Sequence, residues 1–507
     1  MAEMKHYTLG EYVKLLEEKG MLAEYNLQGK DGEEIKLLTY DSREVTQGTL
    51  FICKGAAFKA EYLKNSMNQG AVCYVSEKKY ELEKEVPYIL VKGIRDAMAV
   101  LANFFYNKPW EDLAVIGFGG TKGKSTSTYY MKAVVDDYLA AQDKPESAVI
   151  STIDIYDGKS KVESHITTPE AVELQMHLRN ALDCNIEYAE MEISSQALKY
   201  GRVDEMQFDV SVFLNISEDH ISPIEHPDFE DYFQSKMKMF EKSKIAVVNL
   251  DADYIDQILE ASKAAGEVVT FSTKNPEADY YAYNIHKEGK DIHFSVKCEA
   301  FDEEFVLTMP GFFNVENALG VVAASVKLGI PTEYIHSGLR RARSSGRMEF
   351  YHSKDPEVMA IVDYAHNKLS FEKLFSAMKE EFPDYGLVAI FGCPGKKSLL
   401  RRKYLGTIAG QYSKMVYLVA EDPGYEPVED ISKEIAQYVE AQKCPYKMIE
   451  DRGEAIKDAI ETAEGKTLLL VTGKGAETRQ KYGCEYLDCP SDVEYVQRYL
   501  AEYDSRH

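Results

Sequence analysis

The sequence predicts an α/β protein of several domains, in which two open, largely parallel sheets follow a smaller leading domain. Three observations predict it. A chain of 507 residues, 45% of them hydrophobic, is too long for one ordinary core yet rich enough to fill several. From Leu113 onward, short apolar runs alternate with amphipathic segments, the rhythm of parallel strands joined through helices. Polar text interrupts that rhythm at NKPWEDL and RRARSSGR, setting expected domains of 1–110, 111–345 and 346–507.

In the leading segment, TLFIC, AVCYVS and VPYILVKG read as strands, with helices expected over Tyr12–Lys19 and Asp96–Tyr106. The middle segment offers LAVIGF, ESAVIST, IEYAEMEIS, VSVFLNI and KIAVVNL as strands and VENALGVVAASVKLGI as a helix. In the last segment VMAIVDYAH, YGLVAIFG, KMVYLVAED, YKMIE and TLLLVTGKG end their apolar runs in polar or glycine-rich tips. Such tips at the carboxyl ends of parallel strands are where open α/β sheets bind ligands.

Composition narrows the class. Lys+Arg 59 against Asp+Glu 84 gives a formal charge of −25, which repels a polyanion and argues against a nucleic-acid partner. No apolar run is long enough to span a bilayer, and the charged amino terminus lacks a signal-peptide core. The eight cysteines show neither metal nor redox spacing. A cytoplasmic protein without membrane insertion is expected, and a monomer, since no coiled-coil pattern appears.

LAVIGFGGTKGKSTSTYYMKAVVDDYL places a strand, a glycine-rich turn and a helix in the order of a phosphate-binding loop. Phe118 breaks the usual G-x-x-x-x-G-K-[ST] pattern, so the loop is read from Gly117 to Ser125 as G-x-x-G-T-x-G-K-S. Lys124 is placed to span the β- and γ-phosphates and Ser125 to reach Mg²⁺. In YAEMEISSQAL, Glu192 and Ser194 follow an apolar strand, where the carboxylate is either a metal ligand or a satisfied strand end. His220 reads equally as ligand or structural histidine, and Lys236, by its spacing alone, as a surface lysine. Arg347, Asp363, His366, Lys474 and Glu477 flank strands of the last segment.

Taken in order, YDSREVTQGTLFICKG, GGTKGKSTST, ITTPE, MEISSQAL, NISEDHI, YFQSK, GFFNVENALG, GRMEF, DYAHN, FGCPG and GKGAE resemble the Mur ligases through nearly the whole chain. Among them they resemble most the synthetases that add the third residue of the peptidoglycan stem peptide. The resemblance implies a uridine-nucleotide domain, a central ATPase domain with a mostly parallel sheet, and a C-terminal Rossmann-like domain. It implies that ATP is gripped by Gly120, Thr121, Lys122, Gly123, Lys124, Ser125 and Thr126, with Asn317, Arg347, Asp363 and His366 approaching from elsewhere. Ser42, Arg43, Thr167, Thr168, Ser194 and Arg202 would hold UDP-N-acetylmuramoyl-L-alanyl-D-glutamate. Lys236 would carry a carbamate derived from CO₂ and, with Glu192 and His220, hold a second Mg²⁺ near the reacting carboxylate.

The amino acid added is read from EDPG. Synthetases that add meso-diaminopimelate resemble one another in an Asp-Asn-Pro-Arg motif, and here Gly424 stands where their arginine would pair with a distal carboxylate. Glu421 and Asp422 suit the terminal ammonium of L-lysine, which is expected ahead of diaminopimelate and ornithine. Arg402 resembles the family's substrate-binding arginine and is expected at the α-carboxylate, with Gly473, Lys474 and Glu477 completing the pocket. A folylpolyglutamate-type ligase or a non-enzymatic ATP-binding module would share the loop but not the ITTPE and DYAHN stretches.

Overall fold

A computed structural model describes residues 4–55, 58–164, 166–219, 221–222, 225–396 and 399–506. Three main sheets follow one another along the chain. The first orders its strands Leu22–Asn26, Tyr88–Val91, Ala71–Ser76, Thr49–Ile52 and Leu37–Thr39, all parallel except the first pair. In Thr49–Ile52 alternate side chains serve opposite faces. Leu50 and Ile52 pack with helices Leu9–Glu18 and Ile94–Phe105, while Phe51 meets Leu63 of helix Ala60–Gln69. Both helices expected here form, each starting a turn or less earlier than the apolar pattern suggested.

The central sheet has eleven strands. Its parallel core runs Ala148–Ile150, Tyr188–Glu192, Ala114–Gly119, Phe208–Phe213, Ser243–Asn249, Glu267–Ser272 and Tyr280–Glu288. From Ala114–Gly119 the chain moves first to one side of the sheet and later to the other, so the loop after that strand opens at a topological switch point. Antiparallel strands extend both edges: Asp154–Tyr156 and Lys161–Glu163 on one, Asp291–Lys297 and Asp302–Leu307 on the other. These edges depart from the expected parallel pattern because they bury at most one face; DIHFSVK alternates accordingly, and Lys161–Glu163 is exposed throughout.

The last sheet orders Glu349–His352, Val358–Asp363, Thr467–Thr472, Gly386–Phe391, Met415–Leu418 and Tyr446–Met448, parallel after its first pair. Helices Lys368–Glu381, Leu400–Tyr412 and Val428–Glu440 cover one face, Arg452–Glu461 and Asp492–Arg506 the other. Among the described residues no helix is long and apolar enough to cross a membrane. All eight cysteines are unpaired.

Candidate active site

The loop that follows Ala114–Gly119 turns into helix Lys124–Ala140. Gly123 caps that helix with φ of +87°, and a Cβ there would lie 2.2 Å from Asn317 Oδ1, so both backbone angle and space require glycine. Asn215, just beyond strand Phe208–Phe213, braces the loop. Its carbonyl accepts from the Thr121 N–H at 3.0 Å and its Oδ1 from the Lys122 N–H at 2.9 Å, while its Nδ2 donates to the Lys122 carbonyl at 3.0 Å. The phosphate loop therefore begins at Gly120. Gly117, read from the sequence as its first glycine, lies inside the strand, where a Cβ would meet Ile193 Cδ1 at 2.4 Å. Its smallness serves sheet packing.

Thr121, Lys122, Gly123, Lys124, Ser125 and Thr126 line a cleft of about 250 Å³ together with Asn317, Arg347, Asp363 and His366. Gly120 sits behind it, and its carbonyl accepts from Lys124 Nζ at 3.1 Å and Lys236 Nζ at 2.7 Å. Lys124 also donates to the Thr121 carbonyl at 3.1 Å, and burial lowers its pKa. Folded onto its own loop, this cation is placed for an anion that the loop's N–H groups would share. Burial also lowers Lys122, to about 8, against the pull of Asp219.

The C-terminal sheet supplies the opposite wall. Arg347 Nη2 donates to Ser125 Oγ at 3.1 Å and its guanidinium lies 4.2 Å over the Tyr364 ring. Asp363 accepts the N–H groups of Met348 at 2.9 Å and Ala365 at 2.7 Å, and burial raises its pKa. His366 donates from Nδ1 to the Tyr364 carbonyl at 2.7 Å, and burial holds its ring well below the ordinary histidine range. It is a neutral imidazole whose Nε2 is an acceptor.

Glu192 ends its strand 1% exposed, lines the cleft and accepts the Thr152 N–H at 2.7 Å. Lys236, a surface lysine by spacing alone, is 3% exposed on helix Phe229–Met237, beneath the loop. Burial first, and then the neighbouring Lys124, push its pKa well down. His220, the remaining expected metal ligand, lies outside the described residues.

Thr167 also lines the cleft, within 3.4 Å of the Thr152 hydroxyl. Thr168 donates to the Glu192 carbonyl at 2.9 Å and accepts the Ser194 N–H at 3.0 Å, while Ser194 Oγ caps the next helix by accepting from Ala197 at 3.1 Å. Arg202 donates to the Thr168 carbonyl at 3.0 Å and pairs with Glu170, which Lys54 of the leading domain also engages. Ser42 and Arg43 occupy the loop before Thr49–Ile52. The Arg43 side chain is exposed and folds back on Asp41.

A second cavity of about 380 Å³ is lined by Glu421, Asp422, Gly424, Gly473, Lys474 and Glu477, and shares Tyr364 and His366 with the nucleotide cleft. Lys474 bridges Glu477 at 2.5 Å and Asp422 at 3.0 Å. Burial raises the Glu421 carboxyl to about 7, against Arg452. Gly424 has φ of +58°, donates to the Lys481 carbonyl at 3.1 Å and accepts from Gly483 at 2.7 Å, so the turn itself favours a residue without Cβ.

Arg402 does not face this cavity. It is buried, with Nη2 2.7 Å from Glu426 and Nη1 2.5 Å from Glu434. One residue on a helix is a rotation of about 100°, and it is Arg401 that lines the cavity. Arg401 reaches Asp219 at 2.9 Å, where Asn367 Nδ2 also donates at 2.5 Å and Lys122 lies 3.6 Å away. Asp219 thus joins the phosphate loop to the C-terminal sheet. Asn215 and Asp219 lie in the same NISEDHI stretch as His220, and only the tertiary contacts of Asn215 with the loop and Asp219 with Arg401 set them apart from it.

Comparison with known proteins gives concordant matches. The profile of the Mur ligase middle domain matches residues 119–325, and that of the Mur ligase, glutamate ligase domain matches residues 346–475. The chain is 38% identical over 456 residues to the UDP-N-acetylmuramoyl-L-alanyl-D-glutamate--L-lysine ligase of Enterococcus faecalis, covering 88% of each protein. It is 31% identical over 519 residues to the UDP-N-acetylmuramyl-tripeptide synthetase of Lactobacillus acidophilus, covering 98% of each. Among solved structures, a UDP-N-acetylmuramoyl-L-alanyl-D-glutamate--2,6-diaminopimelate ligase aligns over 99% of this chain and 100% of its own, with a TM-score of 0.65. Its 22% identity speaks for the fold alone.

Proposed function

The chain belongs to the Mur ligase family, and from that premise we propose that it joins L-lysine to the D-glutamate side-chain carboxylate of UDP-N-acetylmuramoyl-L-alanyl-D-glutamate, at the expense of ATP, in peptidoglycan precursor synthesis. One observation carries the reading. The phosphate-loop cleft and a carboxylate-rich cavity meet at Tyr364 and His366, so that an activated acyl group and an incoming amine can converge there.

The reaction has two steps. The substrate carboxylate attacks the γ-phosphorus of ATP, giving an acyl phosphate and ADP. The neutral α-amine of lysine then adds to the acyl carbon, and the tetrahedral intermediate expels phosphate to leave the amide. Lys124 and the N–H groups of residues 123–126, at the start of the helix, stabilise charge on the transferring phosphoryl group. Arg347, already in contact with Ser125, holds the nucleotide from the C-terminal side. Asp219, through Arg401 and Asn367, ties the two walls together and so fixes the reactants' relative positions.

Thr168, Ser194 and Arg202 form a linked polar surface next to Glu192, suited to the muramoyl dipeptide, and the leading domain with Ser42 and Arg43 takes the uridine nucleotide. The donor set suits Mg²⁺: Ser125 offers a hydroxyl and Glu192 a buried carboxylate. When bound there, the metal neutralises repulsion between the phosphates and the substrate carboxylate. Among the described residues Lys236 is the mismatch as an ammonium, and its depressed pKa supplies the remedy. A neutral amine adds CO₂ and releases a proton, turning the side chain into a carbamate of the right charge.

The decisive experiment follows phosphate release and the UDP-tripeptide product with ATP, Mg²⁺ and the UDP-dipeptide, comparing L-lysine, meso-diaminopimelate and L-ornithine. Product with lysine, at a kcat/KM at least about a hundredfold above diaminopimelate, is expected. Preference for either of the others overturns the specificity and leaves the ligase standing. No product with any amino acid overturns the ligase.

Glu421 adds a pH signature. With its pKa raised to about 7, it is neutral below that pH and anionic above it, so its attraction for the lysine ammonium appears as pH rises through 7. Glu421→Gln should raise the KM for lysine about tenfold or more at pH 8.5 and much less at pH 6. A KM ratio that does not change with pH removes Glu421 from ammonium recognition.

A further inference from the structure

The antiparallel edge of the central sheet carries chemistry that the ligase reaction does not use. In the pairing of Tyr280–Glu288 with Asp291–Lys297, His286 stands directly opposite His293. Glu288, two residues along, projects on the same face as His286. The imidazole centroids are 5.5 Å apart, and His293 Nε2 lies 3.7 Å from Glu288 Oε2. One ligand atom from each of the three residues lies within 4.8 Å of the other two.

The other ring nitrogens are already committed. His286 Nδ1 donates to the Asn284 carbonyl at 2.8 Å, and His293 Nδ1 donates to Glu304 Oε1 at 3.0 Å. A carbonyl and a carboxylate can only accept, so the proton of each neutral ring sits on Nδ1 and Nε2 keeps its lone pair. Carbonyl or carboxylate acceptors fix metal-bound imidazoles in the same way, choosing the tautomer and the ring orientation.

We propose that His286, Glu288 and His293 form a binding site for a divalent transition metal of the zinc class, with Glu304 orienting His293. Two imidazoles and a carboxylate suit zinc, cobalt, nickel or copper, whereas magnesium prefers an all-oxygen shell. Bonds of about 2.0–2.2 Å require the three ligand atoms to draw together. His286 and Glu288 are exposed and have the freedom to do so, while His293 is only 17% exposed in its side chain and serves as the anchor. Water fills the remaining position. Between the two ligands of the first strand, Lys287 leaves on the other face and pairs with Glu381 at the end of helix Lys368–Glu381. The metal therefore stiffens a strand that touches the C-terminal sheet's cover.

The full chain, stripped with EDTA and returned to millimolar MgCl₂, is titrated calorimetrically with ZnCl₂ beside His286→Gln/His293→Gln. One zinc per chain with micromolar affinity is expected, weakened at least about tenfold in the double variant. Cobalt should show visible d–d absorption in the parent and lose it in the variant. Equal zinc affinity and stoichiometry in both proteins, as binding at Cys484 would produce, overturns the proposal. So does the absence of saturable binding by the parent up to about 100 µM, far above the dissociation constant such a ligand set gives. Should the double variant melt lower than the parent without metal, Glu288→Gln decides instead. Weaker zinc binding than the parent supports the site, and unchanged binding overturns it.

Discussion

Lys124→Ala should cut kcat for lysine-dependent product by about a thousandfold or more, a loss of roughly 4 kcal/mol of transition-state stabilisation. Lys124 Nζ now donates to the carbonyls of Gly120 and Thr121, and burial disfavours its charge. An arriving triphosphate reverses both conditions, because it gives the buried ammonium anionic acceptors, and that gain is greatest as charge develops in phosphoryl transfer. KM for L-lysine, whose cavity lies beyond Tyr364, should change far less than kcat. Steady-state kinetics with direct product detection tests both parts. A variant that retains kcat within about tenfold removes Lys124 from the chemistry.

Lys236→Ala should lose about a hundredfold or more in kcat, with no recovery at any bicarbonate concentration. The parent, depleted of CO₂, should lose activity and regain it when bicarbonate returns. The reason is the burial of Lys236 beside Lys124. As an ammonium it would place a second cation under the phosphate loop beside Lys124 and Lys122, which the field of Asp219 only partly offsets, whereas as a carbamate it would, on the proposed reading, join Glu192 in binding the cation that the reaction needs. Intact-mass spectra recorded under CO₂ should carry the adduct in the parent and lack it in the variant. Full activity of Lys236→Ala, or a bicarbonate response in that variant equal to the parent's, excludes the carbamate.

Both predictions rest on residues whose meaning came from different places. Lys124 was legible at once, since a strand, a glycine turn and a helix in that order leave its side chain few other uses. Lys236 was not, because YFQSKMKMF gives a helix with no sign of what covers it. Only the packing of that helix under Gly120 buries the amine. Arg402 shows the converse. Its neighbourhood resembled a binding arginine, and helix rotation gave the cavity to Arg401 and spent Arg402 on Glu426 and Glu434.

Five of the seven parallel strands of the central sheet and all five of the C-terminal sheet were legible because strands buried on both faces must be apolar along their length, whereas Glu267–Ser272 and Tyr280–Glu288, only partly buried, went unread. Two of the leading domain's three helices were legible from their period, and Ala60–Gln69 was not. The antiparallel edges were missed, since their half-buried, polar-rich text resembles loop, and with them the pairing of His286 with His293.

By itself, then, the sequence determined the buried parallel strands at the centres of the two larger sheets, where phosphate binds, and which carboxylates and cations are available, because these follow from local spacing and side-chain chemistry. Tertiary structure alone decided which of those groups share a cavity. It brought Arg347 to Ser125 across 222 residues, and it put Asp219 between Lys122, Asn367 and Arg401. Burial and long-range proximity set those charges and partners, and neither is a property of neighbouring residues in the chain.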